Sequence, residues 1–215
     1  MNDASNNPGR KSGLKVLKIT GVAAVTLTGI ILILNGYGLF AKIIISEKSF
    51  GPHILIYDKW TGNYKVTGTI MRRVSSSVKE SHGIECQQQF GMYFDNPRQV
   101  ESSQLRSIAG CVVRGGDIKE LQKKGLAFGI TVFPKTRGVI AEFPFTGTLS
   151  VILGVMRVYP KLGEYIRAHH YSPGPFLELY DVARQKIIYV APLGVSTSAM
   201  EKLLEPSSKR NPGAN

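Results

Sequence analysis

Phe176, Glu178 and Tyr180 alternate along an apolar run, so a β-strand there sets a carboxylate between two aromatic rings on one face, with Leu177 and Leu179 on the other. A carboxylate so flanked offers a cation both an opposite charge and the faces of two π-systems. The alternative is an ordinary glutamate on an exposed strand. The leucines are expected to lie against helices, which leaves the glutamate face open as a groove for a ligand; burial of Glu178 among the helices, or a groove filled by its own side chains, would remove that ligand reading. Glu142 alternates with Ala141 and Phe143 and is a candidate for the same groove. Two carboxylates in an apolar groove can drift apart in pKa and divide acid and base roles, as hydrolysis of a strained electrophile would need. The blander alternative for Glu142 is a solvated pair with a neighbouring Lys or Arg.

The elements that must position these residues occur twice. Trp60-Thr61-Gly62-Asn63-Tyr64-Lys65-Val66-Thr67-Gly68-Thr69-Ile70-Met71-Arg72 aligns without gaps on Phe145-Thr146-Gly147-Thr148-Leu149-Ser150-Val151-Ile152-Leu153-Gly154-Val155-Met156-Arg157, with identity at Thr61, Gly62, Val66, Met71 and Arg72. Apolar strand-like runs, Ile54 to Tyr57 and Val139 to Phe143, precede the two copies. Further on, Phe90-Gly91-Met92-Tyr93-Phe94-Asp95 answers Phe176-Leu177-Glu178-Leu179-Tyr180-Asp181, which places Phe90, Met92 and Phe94 beside the Glu178 face of the groove. A last strand closes each copy, Leu105 to Val113 and Lys186 to Ala191. Strand, helix, strand, strand, repeated, predicts an α+β fold in which two helices cover a sheet. The second helix is expected to bury Leu149, Ile152, Leu153, Met156, Leu162 and Ile166, with a break or kink at Pro160. Asp117 to Gly125 reads as a connecting helix, and Trp60, at the start of the first helix, as a wall of the groove or as core.

The chain has 215 residues, with 27 Lys and Arg against 15 Asp and Glu, a formal charge of +12. A length of this order leads one to expect one ordinary domain, or one domain with an appendage, and not a large multi-domain enzyme. Ile19 to Ala41 are free of formal charge, long enough for one transmembrane helix. Arg10, Lys11, Lys15 and Lys18 precede the span and Lys42, Lys48 and Lys59 follow it, so the positive-inside rule favours a cytoplasmic amino terminus. The expected organisation is a basic tail (1–18), a transmembrane helix (19–41), a duplicated domain (50–194, in repeats of about 50–114 and 136–194) and a short disordered tail (195–215). Cys86 and Cys111 read as two ordinary buried thiols, with one disulfide open to them in an oxidising compartment. No catalytic motif, metal-ligand spacing or phosphate-cradling loop occurs, and His53, His82, His169 and His170 lack ligand-like spacing. No catalytic residue, metal or cofactor is therefore expected. The basic pairs, such as Arg72-Arg73, are too scattered for a nucleic-acid stripe but could lie along a membrane surface.

The duplicated unit, with Gly62-Asn63-Tyr64 opening its first helix, resembles the gyrase-inhibitor-like (GyrI-like, SOUL/GyrI-type) small-molecule-binding superfamily. It is most similar to the testis-expressed protein 264 family, through Tyr57, Gly68, Tyr93-Phe94-Asp95-Asn96-Pro97, Phe143-Pro144-Phe145-Thr146, Arg157-Val158-Tyr159-Pro160 and Leu177-Glu178-Leu179-Tyr180. The resemblance implies a single-pass membrane protein, in the endoplasmic reticulum if eukaryotic and in the inner membrane if bacterial. For the domain it implies a groove for apolar cations, often with a glutamate at the position of Glu178, and it adds Tyr57 to Trp60, Phe90, Met92, Phe94, Glu142, Glu178 and Tyr180 as ligand-binding candidates. Three functions follow as expectations. The first is a non-enzymatic, membrane-anchored binder of a small hydrophobic or cationic ligand or a protein partner. The second is an adaptor for autophagy or adduct repair, as in that family, although the residues after the domain carry no aromatic motif of the kind such receptors use. The third is a hydrolase using Glu142 and Glu178.

Overall fold

The computed structural model describes residues 8–113 and 115–205. A long helix, α1 (Pro8–Gly36), and a strand, β1 (Ile45–Phe50), lead into a first unit of β2 (His53–Thr61), α2 (Thr67–His82), β3 (Cys86–Tyr93) and β4 (Arg106–Val113). A short helix, α3 (Ile118–Lys123), and β5 (Gly129–Phe133) lead into the second: β6 (Thr136–Pro144), α4 (Thr148–Ala168), β7 (Phe176–Asp181) and β8 (Lys186–Pro192). A terminal segment follows, α5 (Thr197–Glu201) and a 3-10 turn, Lys202–Leu204. The α+β class read from the sequence stands.

All eight strands join one antiparallel sheet in the order β1-β6-β8-β7-β3-β4-β2-β5. The two units meet at its centre, where β3 pairs with β7 and Gly91 lies opposite Glu178. The edges are exchanged. β1 precedes β2 in the chain yet pairs with β6 of the second unit, and β5 precedes β6 yet pairs with β2 of the first. Of the two edge strands, β1 is not apparent in the sequence pattern, because it carries Ser46, Glu47, Lys48 and Ser49 and does not read as an apolar run, whereas β5 is a short β-branched run whose pairing partner local pattern does not reveal.

Both sheet faces carry a buried core. On one, α2 and α4 enclose Ile56, Val74, Val78, Phe143, Val158 and Leu162. On the other, Leu55, Phe90, Met92, Leu177 and Leu179 form a second core, and Met200 with the half-buried Leu203 and Leu204 closes it. The leucines of β7 therefore face away from the helices, contrary to the sequence expectation. Alternation assigns residues to two faces but does not say which face the helices take.

Other expectations change as well. The segment after 194 is not a plain tail: Ser196 caps α5 by accepting from the Ala199 amide, and Tyr57 Oη donates to the Leu203 carbonyl at 3.5 Å. The long apolar helix begins at Pro8 and ends at Gly36, five residues before Ala41. Residues 1–7 and 206–215 of the two expected tails lie outside the described residues. Trp60 lies within β2, next to its last residue, instead of opening a helix, and its Nε1 donates to the Asn63 carbonyl at 3.2 Å. In α4 the buried line is Ser150, Gly154, Val158, Leu162 and Ile166, at steps of four, while Ile152 and Met156 point outward. The small residues lead that line because the sheet comes close to the helix there. Pro160 sits inside α4 without ending it.

Cys86 and Cys111 are joined in a disulfide across β3 and β4, with 5.7 Å between their Cα atoms. A bulge between Cys86 and Gln88 shifts the register. The expectation of two free thiols is corrected, since adjacent antiparallel strands hold the pair within bonding distance.

Candidate functional site

Glu178 is 3% exposed, on the helical face of the central strand β7. Three tyrosine hydroxyls donate to it. Tyr159, from α4, reaches Oε1 at 2.7 Å; Tyr180, two residues along β7, reaches Oε2; and Tyr93, from the end of β3, reaches Oε2 at 3.3 Å. The pleat brings Tyr180 to the same face as Glu178, and the β3–β7 register brings Tyr93 close to it. Room for the Tyr93 phenol comes from Gly91, where a Cβ would lie 2.6 Å from the Tyr93 hydroxyl. Thr67, at the start of α2, holds Tyr93 from behind with its hydroxyl 3.3 Å away.

Aromatic rings close the surroundings edge to face. Tyr159 meets Phe176 at 5.3 Å and Tyr189 at 5.6 Å between ring centroids, Phe145 meets Tyr180 at 5.6 Å, and Tyr64 meets Tyr93 at 4.7 Å. Among the described residues no ion pair involves Glu178. Burial pushes its carboxyl above the ordinary value, and the hydrogen bonds from Tyr180, Tyr159 and Tyr93 only partly offset this. The phenols of Tyr93, Tyr159 and Tyr180 are pushed well above their usual range by burial first and by the Glu178 charge second. The result is an acid in a tyrosine cage, in an apolar compartment between sheet and helices.

One polar atom in this compartment is unpaired. Tyr189 stands opposite Glu178 on β8, and its buried hydroxyl has no hydrogen-bond partner. It points at α4, where a Cβ on Gly154 would lie 2.2 Å away. Gly154→Ala is expected to lower stability by about 1–2 kcal/mol, because overpacking exceeds the gain in helix propensity. Adding Tyr189→Phe should restore most of the loss, measured by urea unfolding of both variants and the wild type.

The structure divides the sequence candidates. Glu178 and Tyr180 come together. Tyr57, Phe90, Met92 and half-buried Phe94 belong to the opposite core, under the terminal segment. Trp60 packs on the helical core but makes no hydrogen bond to Glu178. Glu142 is exposed and pairs with Lys186 at 2.6 Å, the blander of its two readings. Its neighbours Ala141 and Phe143 face the helices, so Glu142 points to the other side of the sheet from Glu178. The open groove is therefore corrected to a closed site on the helical face, and the hydrolytic pair of carboxylates does not form. Tyr93, Tyr159 and Tyr189 were missed. For Tyr93 a usable signal existed, since the aligned repeats set β3 beside β7; Tyr159 reaches the site only through the packing of α4.

No protein-family model matches the chain. Human testis-expressed protein 264 is 30% identical over 195 residues, covering 85% of this chain and 58% of its own length. The mouse testis-expressed protein 264 homolog is 31% identical over 171 residues, covering 74% of this chain and 52% of its own. Both are homologues of this chain. The chain spans just over half the length of these relatives. Among solved structures, EcmrR in a cryo-EM complex with DNA superposes with a TM-score of 0.52 at 14% identity, over 88% of this chain and 72% of that one. The crystallised EcmrR C-terminal domain gives 0.51 at 12% identity, over 70% of this chain and 96% of its own. At such identities the likeness shows a shared fold and nothing more.

Proposed function

We propose that the chain is a single-pass membrane protein whose GyrI-like domain binds a lipophilic cation against Glu178 and catalyses no reaction. Burial of Glu178 removes a ligand lying in an open groove, so the reading rests on a different observation: a carboxylate almost wholly removed from water, ringed by tyrosines and without a cationic partner among the described residues. Such a group costs stability unless a positive charge reaches it, and an organic cation with apolar substituents would gain both the charge and the aromatic faces. Entry requires the Tyr159 and Tyr93 hydroxyls to yield their places, so α4 and the start of α2 are the elements expected to shift. The test is calorimetric titration of the detergent-solubilised full chain with tetraphenylphosphonium as probe. Saturable binding, abolished by Glu178→Gln, is expected; no binding, or equal binding to the variant, overturns the reading.

The membrane part rests on the apolar stretch Lys18–Gly36 of α1, long and apolar enough to cross a bilayer and unburied by the rest of the chain. The basic flank before it favours a cytoplasmic amino terminus, and the Cys86–Cys111 disulfide suits an oxidising compartment, so both point to a domain outside the cytosol. A reporter fused at Asn215 decides this. The homology with testis-expressed protein 264 favours a second reading, a membrane adaptor that docks protein partners in the endoplasmic reticulum. A reporter on the cytosolic side would favour a receptor of the autophagy type, whereas a reporter on the far side would oppose it.

A further inference from the structure

We infer that the outward face of the first half of α4 lies in the lipid interface of the bilayer that α1 enters, so that the domain rests on the membrane in one fixed orientation. This builds on the reading of α1 as a span. The chain after Gly36 does not swing free of the domain. Gly38 lies so close to Phe143 of β6 that a Cβ there would fall 2.8 Å from the ring, and Tyr37 approaches Gly147 at the start of α4. Arg157, on α4, donates to the carbonyl of Gly38 and, at 2.9 Å, to that of Ala41. Eight residues further along, at the far end of α4, Tyr165 donates to Glu47 at 3.2 Å, and Tyr171 just beyond donates to it at 2.7 Å. Successive points of the chain leaving the span therefore match successive turns of α4, and the helix begins at the level where α1 ends.

The outward side chains change character along the same axis. In the turns nearest α1 they are Ile152, Val155 and Met156, which are 51%, 44% and 67% exposed. Phe40, 65% exposed, belongs to the same level. In the distal turns they are Lys161, Glu164 and Arg167, all exposed. A helix in water gains nothing from presenting three large apolar side chains side by side, whereas a helix lying along the headgroup boundary buries them. Tyr37 and Phe40 at the end of the span and Lys42 just beyond it fit the aromatic and basic composition of that boundary. The occupant of the face is thus lipid and not a protein partner, because the Arg157 clamp holds the face within a few residues of the point where the chain leaves the hydrocarbon.

The test uses the full chain in liposomes containing nitroxide-labelled lipids, with an environment-sensitive fluorophore on single cysteines introduced without reductant, so that the native disulfide stays closed. The sites are Met156→Cys, Arg167→Cys and, within the span, Ile30→Cys. Quenching at positions 30 and 156 but not at 167 is the expected result. Quenching at 30 alone overturns the interfacial face and leaves the span intact. No quenching at 30 overturns the span and this inference with it. Equal quenching at 156 and 167 overturns the restriction to the first half of α4.

Discussion

Glu178→Gln is expected to raise the stability of the domain at neutral pH by about 2–3 kcal/mol, the cost of desolvating a carboxylate net of its hydrogen bonds. The sign follows from linkage. Burial raises the folded-state pKa of Glu178 above the ordinary 4.5, so the folded domain holds a proton at pH values where the unfolded chain has released it. The contribution of Glu178 is complete below the unfolded pKa and is lost as the pH rises through the folded one. Asp95 works in the opposite sense, because the Arg106 guanidinium beside it holds its carboxyl below the usual range and its contribution is lost toward acid. Subtracting the variant from the wild type isolates Glu178. In urea unfolding between about pH 4 and pH 8, the stability gap in favour of the glutamine variant should widen as the pH rises. A gap independent of pH would place the carboxyl in a solvated position and remove the basis for cation binding. The expected pairing of lost binding with gained stability is the trade that a ligand site built on an unpaired charge makes.

The largest loss is expected from opening the disulfide. Replacing Cys86 and Cys111 together with alanine frees a loop closed at a sequence separation of 25, which chain entropy values at about 3 kcal/mol. Wild type treated with reductant should fall to the stability of the double variant. If reductant leaves the wild type unchanged, the thiols are free in the mature protein and the argument for an oxidising compartment falls with the bond.

The repeat made much of the fold legible in the sequence. Five identities between the two helix openings, and the shared Phe-x-x-x-aromatic-Asp frame, placed both strand-helix-strand-strand units and suggested that the equivalent strands meet. Glu178 and Tyr180 also stood out, because alternation on one strand is a local property. What failed was the choice of side. Leu177 and Leu179 look like residues that belong under helices, and Glu178 looks like a surface residue, but here both faces of the sheet carry a buried core. The leucines pack under the terminal segment with Met200, and the glutamate goes under α4 because tyrosines from three elements satisfy it. The stripe on α4 erred in a related way: Ile152 and Met156 were assigned to the core because they are apolar, while Ser150 and Gly154 take the close approach. The exchange of β1 and β5 depends on pairing between distant segments, on which local pattern is silent.

That exchange governs how the domain bears load. A pull along the axis of β1 would load its ladder with β6, paired along all six residues of β1, in shear, with every rung strained together. Because β6 belongs to the second unit while the chain continues from β1 into the first, such a pull would act on both units at once.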